Sequence, residues 1–306
     1  MKKYNLIPYI LTLMMVCLMV GCSQLFNEPE IIFPEITALT IGAWIAPKQV
    51  WKTSPIKLVI YIMIYAIIGV LMVRYIHISL TYKVMIAFLL CNIGLIISKT
   101  TFAPLISACI LPILMGTESW IYPISATMMS IIIVLVQIYL QKKELCHEYH
   151  YVPVQFDYQH ECILFIKRFI VVSVLGFLAI RLEHRLLIAP PLIVAFFELS
   201  GNHKKLRSNA PKLYIFTVFM AFISAYLRYY LTIQNQVSIL FVVTLVTVIL
   251  LICIYHFQIF FPPIGAITIL PMIIQPELLP VYPFLIAIGF AFLIIFAFLI
   301  SYQGKE

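Results

Sequence analysis

Eight apolar runs, at about residues 5–22, 56–76, 80–98, 120–140, 163–180, 213–231, 236–256 and 280–301, each approach the ~20 residues that a helix needs to span a bilayer. Of the 306 residues, 63% are hydrophobic and only 10% are charged, whereas soluble domains carry about 25% charged residues. A water-surrounded domain has too little interior for so many apolar side chains. Lipid accepts them on every face of a helix, and only helices or closed barrels satisfy their backbone there. The expected fold class is all-α, a polytopic membrane helical bundle whose first partner is the lipid bilayer.

Four shorter apolar segments, at about residues 31–46, 101–115, 186–200 and 259–274, lie between the long runs, and each is interrupted by proline. They recur in order. A shift of 159 places Phe102, Pro104, Ile110, Leu111, Pro112 and Glu118 on Phe261, Pro263, Ile269, Leu270, Pro271 and Glu277. A shift of 155 pairs Lys57, Leu58, Ile60, Ala66, Ile68 and Tyr75 with Lys212, Leu213, Ile215, Ala221, Ile223 and Tyr230. The spacing therefore predicts two tandem parallel repeats, residues 1–140 and 163–306, each with four long helices and two short proline-broken ones. The polar stretch 141–162 joins them.

Two local features have competing readings. Lys2 and Lys3, an apolar run and Met19-Val20-Gly21-Cys22 look like a lipoprotein signal cleaved before Cys22. The second half has an internal counterpart at about residues 166–180, so residues 5–22 are expected to be a retained helix. In the linker, Cys146, His147, His150, His160 and Cys162 are zinc-type ligands, but their spacing matches no standard site, and a solvated loop is the better reading. The seven cysteines lie mostly in apolar runs without C-x-x-C pairs, which suits packing. No metal site, cofactor or nucleic-acid partner is expected.

Charge bears on topology. If the short segments dip in and return, Lys48, Lys52, Lys57, Lys204, Lys205, Arg207 and Lys212 all lie outside, against the positive-inside tendency. If they cross as broken helices, these charges join Lys2, Lys3, Lys99, Lys142 and Lys143 on the cytoplasmic side, with both termini, while Glu28, Glu30, Glu35, Glu118 and Glu277 fall outside and only Arg74, Lys83, Arg181, Arg185 and Arg228 remain exceptions. Twelve traversals of a bacterial cytoplasmic membrane are thus favoured over eight. Within each half, the second long-short-long triplet would then be inverted relative to the first, an arrangement that recurs in secondary transporters.

A helix of ~15 residues is ~23 Å long, less than the ~30 Å hydrocarbon core, so the short segments should end or unwind inside the membrane and line a pathway. Their openings are Phe33-Pro34, Phe102-Ala103-Pro104, Ala189-Pro190-Pro191 and Phe261-Pro262-Pro263. Proline fits a first helical turn, and the free N–H groups after it form a partial positive pole suited to anions. The candidate substrate-binding residues are Pro34, Thr37, Pro104, Ser107, Pro190, Pro191, Glu198, Pro262, Pro263, Gly265 and Thr268, with Ala108 and Ala266 as small neighbours. Packing is the competing explanation for such residues. Of the carboxylates on short segments, Glu35 and Glu198, the latter is preferred for its nearness to Asn202. Arg74, Arg228 and His256 are expected to snorkel to the interface, and Trp44, Trp51 and Trp120 to anchor there.

The run Phe261-Pro262-Pro263-Ile264-Gly265-Ala266-Ile267-Thr268-Ile269-Leu270-Pro271, followed by Tyr282-Pro283, resembles the signature of the HPP family of membrane proteins. Phe261 stands in place of the naming histidine, and the first half has Phe102-Ala103-Pro104 with no second proline. The resemblance implies two HPP-like units in tandem and, since some members are linked to nitrite transport, an anionic solute such as nitrite. No nucleotide-binding or hydrolase motif is present, so an enzyme is not expected. The expected function is a secondary transporter or channel for a small polar or anionic solute. The alternative is a non-transporting complex subunit or assembly factor.

Overall fold

The computed structural model describes residues 5–148, 158–201 and 204–301. It is helical throughout, with no strand among the described residues. In chain order the helices are α1 (Ile7–Phe26), α2 (Glu35–Thr40, continued by a π-helical turn Ile41–Ile45), α3 (Pro55–Tyr75), α4 (Leu80–Ser98), α5 (Pro104–Met115), α6 (Ile121–Lys142), α7 (Tyr158–Arg181), α8 (Pro190–Ser200), the small α9 (Lys204–Ser208), α10 (Ala210–Leu227, continued by a π-helical turn Arg228–Gln234), α11 (Ile239–Phe257), α12 (Pro263–Ile269, continued by a 3₁₀ turn Leu270–Met272) and α13 (Tyr282–Ser301). Eight of them, α1, α3, α4, α6, α7, α10, α11 and α13, are long and apolar enough to cross a membrane. Their outward faces carry Leu, Ile, Phe and Met, among them Met14, Ile97, Leu135, Ile170, Phe241 and Leu299, as lipid contact requires.

Each short helix carries the chain from one end of the bundle to the other. The long helices fix the directions. Gln24 meets Ser238 at 3.3 Å, Cys17 meets Thr244 at 3.3 Å and Tyr9 packs on Tyr255, so α1 and α11 are antiparallel. Tyr214 with Phe290 and Phe222 with Phe284 make α10 and α13 antiparallel in the same way. Next to them, α2 runs parallel to α6: Ser125 Oγ donates to Glu30 O, Trp44 Nε1 to Ile133 O at 3.1 Å, and His147 Nδ1 lies 2.9 Å from Ala46 O.

The helix α5 leaves the end where Thr100 Oγ1 donates to Lys52 O (2.7 Å) and finishes near the opposite end, where Arg74 of α3 lies over the Trp120 ring at the start of α6. Arg168 of α7 bonds Ser200 at the end of α8, and Arg228 of α10 bonds Ile274 just past α12, so these two also pass through. Twelve passes therefore alternate in direction. The start of α1 and the finish of α13 lie at the same end, with Lys48, Lys52, Lys57, Lys99, Lys142, Lys143 and Lys212; Glu28, Glu30, Glu118, Glu183 and Glu277 lie at the other, together with Arg74, Lys83, Arg181 and Arg185. These are called the basic and the acidic end below.

The short helices are half-length because the first half of each pass is not α-helical. An α-helix of 11 or 12 residues, as in α8 and α5, is ~17 Å long, about half a hydrocarbon core. Extended or 3₁₀ backbone at 28–34, 99–103, 185–189 and 258–262 makes up the rest. Such backbone persists at depth only where protein covers it. Ile32, Phe33, Phe102, Ala103, Ile188, Ala189 and Phe261 are accordingly buried, and the Phe33 amide reaches the Met19 sulfur at 3.3 Å.

Packing crosses between the halves. Helix α1 lies on α11, α7 lies on α4, α2 packs on α12 and α5 on α8. Thr244→Cys tests this directly, because the new thiol would face the native Cys17 sulfur. With a protease site inserted between 149 and 157, the two fragments should stay joined on a non-reducing gel after mild oxidation. Separation of the fragments would show that α1 does not lie on α11.

One basic residue departs from the sequence expectation, and a second, Arg168, behaves like it. Arg228 does not snorkel outward: it is 9% exposed and its guanidinium donates to Pro271 O and, at 2.7 Å, to Ile274 O. The last carbonyls of α12 have no partner within the helix, and a cation at that negative pole satisfies them. Arg168 acts alike at the end of α8, donating to Ser200 Oγ (2.8 Å) and Phe197 O (3.0 Å) with its guanidinium over the Phe197 ring. Of the linker's zinc-type ligands, Cys146 and His147 are partly buried against the bundle, Cys162 is an exposed residue on α7, and His150 and the His160 side chain lie outside the described residues. Burial lowers the His147 imidazole from its ordinary range, partly opposed by its hydrogen bond to Ala46 O.

Candidate functional site

The four short helices meet in the middle of the bundle. Helix α12 touches both α2 and α8, and α5 touches both as well, closing a ring. Their N-terminal halves overlap and line one narrow cavity, through Glu35 and Ala38 of α2, Pro104 of α5, Pro191 and Val194 of α8, and Pro263 and Ala266 of α12. Pro262 and the indole of Trp51 complete the wall. The space open to water centres is ≈ 10 Å³, about one water molecule.

The close approach of α2 and α12 depends on two glycines. A Cβ on Gly265 would lie 3.1 Å from both Ala38 N and Thr37 C, and one on Gly42 would lie 2.5 Å from the Trp51 ring and 3.3 Å from Pro262 Cγ. Small residues let membrane helices pack backbone to backbone, and here they do so at the centre.

Two carboxyl groups are buried beside this crossing. Glu35, 2% exposed, accepts a hydrogen bond from Ser107 Oγ of α5 on Oε1, while its Oε2 has no hydrogen-bond partner. Glu198, at the opposite end of α8 from the cavity, accepts from Trp51 Nε1 at 2.9 Å. Trp51 thus links the cavity wall to the second carboxyl group, held edge-on against Phe102 with ring centroids 5.5 Å apart. No Lys, Arg or His occurs on α2, α5, α8 or α12.

The sequence-derived residues divide into three groups. Pro104, Pro191, Pro262 and Pro263 line the cavity, and Ser107 binds the Glu35 carboxyl. Gly265 and Thr37 lie at the α2–α12 crossing, where Gly265 serves packing and the buried Thr37 hydroxyl has no partner. Pro34, Pro190, Thr268 and Glu198 do not reach the cavity. Pro34 and Pro190 begin the turn just before the lining residues, the Thr268 hydroxyl folds back onto Ile264 O at 2.8 Å, and Glu198 lies beyond Trp51.

The amide donors expected to face an anion are also engaged. Ile36 and Thr37, Leu105 and Ile106, Leu192 and Ile193, and Ile264 and Gly265 all donate to carbonyls of the turn before them. The positive poles of α5 and α8 remain, but few N–H groups are left to bind a guest.

Trp51 and Trp44 differ from their expected place at the interface. Both are buried, Trp44 inside because α2 has protein on all sides, and Trp51 because the segment between α2 and α3 folds inward over Gly42. Only Trp120 keeps an exposed position, 40% accessible. Glu35, assigned to the outside by the charge pattern, lies instead at the centre of the bundle, and its position directly after a Phe-Pro opening in an apolar segment was the usable signal. Trp51, between Lys48 and Lys52, carried none. The chain matches no protein-family model, and neither a curated protein nor a solved structure has significant similarity to it.

Proposed function

We propose that this protein is a transporter or channel for a small polar solute, built from two tandem HPP-like units, and that the solute passes between the four half-length helices. The observation that carries the reading is the meeting of four proline-opened helices at one cavity with a buried carboxyl group in its wall. Half-helices that start inside a bundle, from both ends, leave polar backbone and a carboxyl at a depth where a passing solute can use them.

The exchanged pairings support the duplication. Helix α1 meets α11 as α7 meets α4, and α2 meets α12 as α8 meets α5. Tyr122 OH donates to Ala108 O and Tyr282 OH to Ile267 O, at corresponding places in the two halves. The basic end is assigned to the cytoplasm by the positive-inside tendency. Two features of the centre, the spent amides and the unpartnered Oε2 of Glu35, favour a neutral or cationic guest; an anion such as nitrite requires Glu35 to be uncharged. The tightness of the cavity favours the second reading, a non-transporting complex subunit or assembly factor, which predicts a stoichiometric partner on purification.

Uptake into proteoliposomes decides between them, using nitrite, other small inorganic anions, monovalent cations and small neutral solutes. Ala266→Trp blocks the cavity, whose wall Ala266 shares with Glu35 and whose open space of ≈ 10 Å³ is far smaller than an indole. One solute class should enter faster than into protein-free vesicles, and Ala266→Trp should slow that entry at least tenfold while the protein remains folded in detergent. Absence of flux for every class, or flux indifferent to Ala266→Trp, would overturn the carrier reading.

A further inference from the structure

We propose that Glu35, paired with Ser107, is a proton-binding site shared between the central cavity and the acidic end, and that solute movement is coupled to its proton. The coupling rests on the carrier reading above; the proton site itself does not.

Glu35 lies between two openings. On one side it lines the central cavity beside Pro104, Pro191 and Ala266. On the other is an outer cavity of ≈ 40 Å³ toward the acidic end, whose walls include Glu30, Pro112, Thr117 and Tyr122. The Tyr122 hydroxyl donates to Ala108 O at 3.0 Å, next in sequence to the Ser107 that holds Glu35, and its ring packs edge-on against Phe33 at 5.7 Å. One layer of side chains therefore separates the Glu35 carboxyl from the outer cavity. Toward the basic end the barrier is Trp51, latched to Glu198.

The surroundings select a proton over other guests. The titratable groups on the packed elements are Cys109 of α5, Tyr122, Tyr139 and Lys142 of α6, Tyr9, Cys17 and Cys22 of α1, Glu30 in the turn before α2 and, beyond Trp51, Glu198; α12 has none, and the one cation among them, Lys142, is exposed at the far end of α6. An unpaired charge in apolar surroundings costs several kcal/mol, so the carboxyl stays neutral or takes a cation. Metal cations of the oxygen-seeking type gather about six oxygen ligands. Here one carboxyl and one hydroxyl face room for about one water. A proton needs only the unpartnered Oε2. It is donated by water at the acidic end, forms the O–H bond on Oε2, and returns to water at the basic end when Trp51 moves aside.

Two measurements on the full-length protein test this. Dicyclohexylcarbodiimide reacts with protonated carboxyl groups in apolar sites, and peptide mass spectrometry of the wild type should place its adduct on Glu35, with faster labelling at acid pH. Adducts confined to Glu30 or Glu198 would overturn the proton site, whether or not any solute moves. In proteoliposomes an imposed pH gradient should accelerate solute entry through the wild type, and Glu35→Gln, compared with its own flux without the gradient, should lose at least tenfold of that acceleration. Retained acceleration in Glu35→Gln would overturn the coupling. Labelled Glu35 in a protein without measurable flux would leave the proton site standing and overturn the carrier reading instead.

Discussion

Trp51→Ala should lower stability by about 3–5 kcal/mol, the range for removing a large aromatic side chain from a packed interior. Trp51 is 3% exposed, its ring lies on Gly42 and against Phe102, and no neighbour can fill the space because Pro104, Pro191 and Pro262 are held by fixed backbone. The loss has a second part, since Glu198 Oε1 loses its indole donor and a buried acceptor left alone costs about 1–3 kcal/mol. Trp51→Phe separates the two: it keeps most of the volume and should show mainly the smaller loss. Thermal unfolding in detergent measures both. In vesicles, Trp51→Ala should also raise the passive permeability to small ions, because the same ring closes the cavity toward the basic end. Near-native stability and unchanged permeability in Trp51→Ala would mean that the ring neither packs the centre nor closes it.

Much of the architecture could be read from the sequence because length is a strict constraint in a bilayer. Runs of ~20 apolar residues had to become spanning helices, and the eight long ones fall near their expected bounds. The half-length helices were legible for the same reason, since proline at a first turn fixes where a helix starts, and Pro104, Pro190 and Pro263 do so here. Side-chain placement was less legible. A tryptophan between lysines reads as interfacial, yet Trp51 follows its segment inward, a consequence of tertiary folding that no local pattern records. Arg228 near a helix end reads as snorkelling, but the uncapped carbonyls of Pro271 and Ile274, 43 and 46 residues away, draw it inside. The engagement of the amides was not legible either: those after the prolines close short turns with the carbonyls just before them. What remained at the centre was a carboxyl group and its hydroxyl partner.

Gly265→Val should be nearly as damaging as the loss of Trp51, for the opposite reason. Overpacking a filled interior costs about 1–3 kcal/mol when flexible side chains can yield. At Gly265 only one of the three nearest atoms is flexible, Ile41 Cδ1 at 2.7 Å; the other two, Ala38 N and Thr37 C, are main chain at 3.1 Å. A β-branched residue therefore pushes α2 away from α12, and a cost at or above the upper end of that range is expected. The displacement also moves Glu35, one turn before Ala38 on α2, away from Ser107 on α5. Gly265→Val should for that reason alter labelling of Glu35 by carbodiimide as well as stability, whereas Gly21→Val, where nothing lies within 4 Å of the added Cβ, should change neither. Equal effects at the two glycines would mean that α2 and α12 do not touch through their backbones, and the cavity between the four short helices would lose the contact that holds it closed.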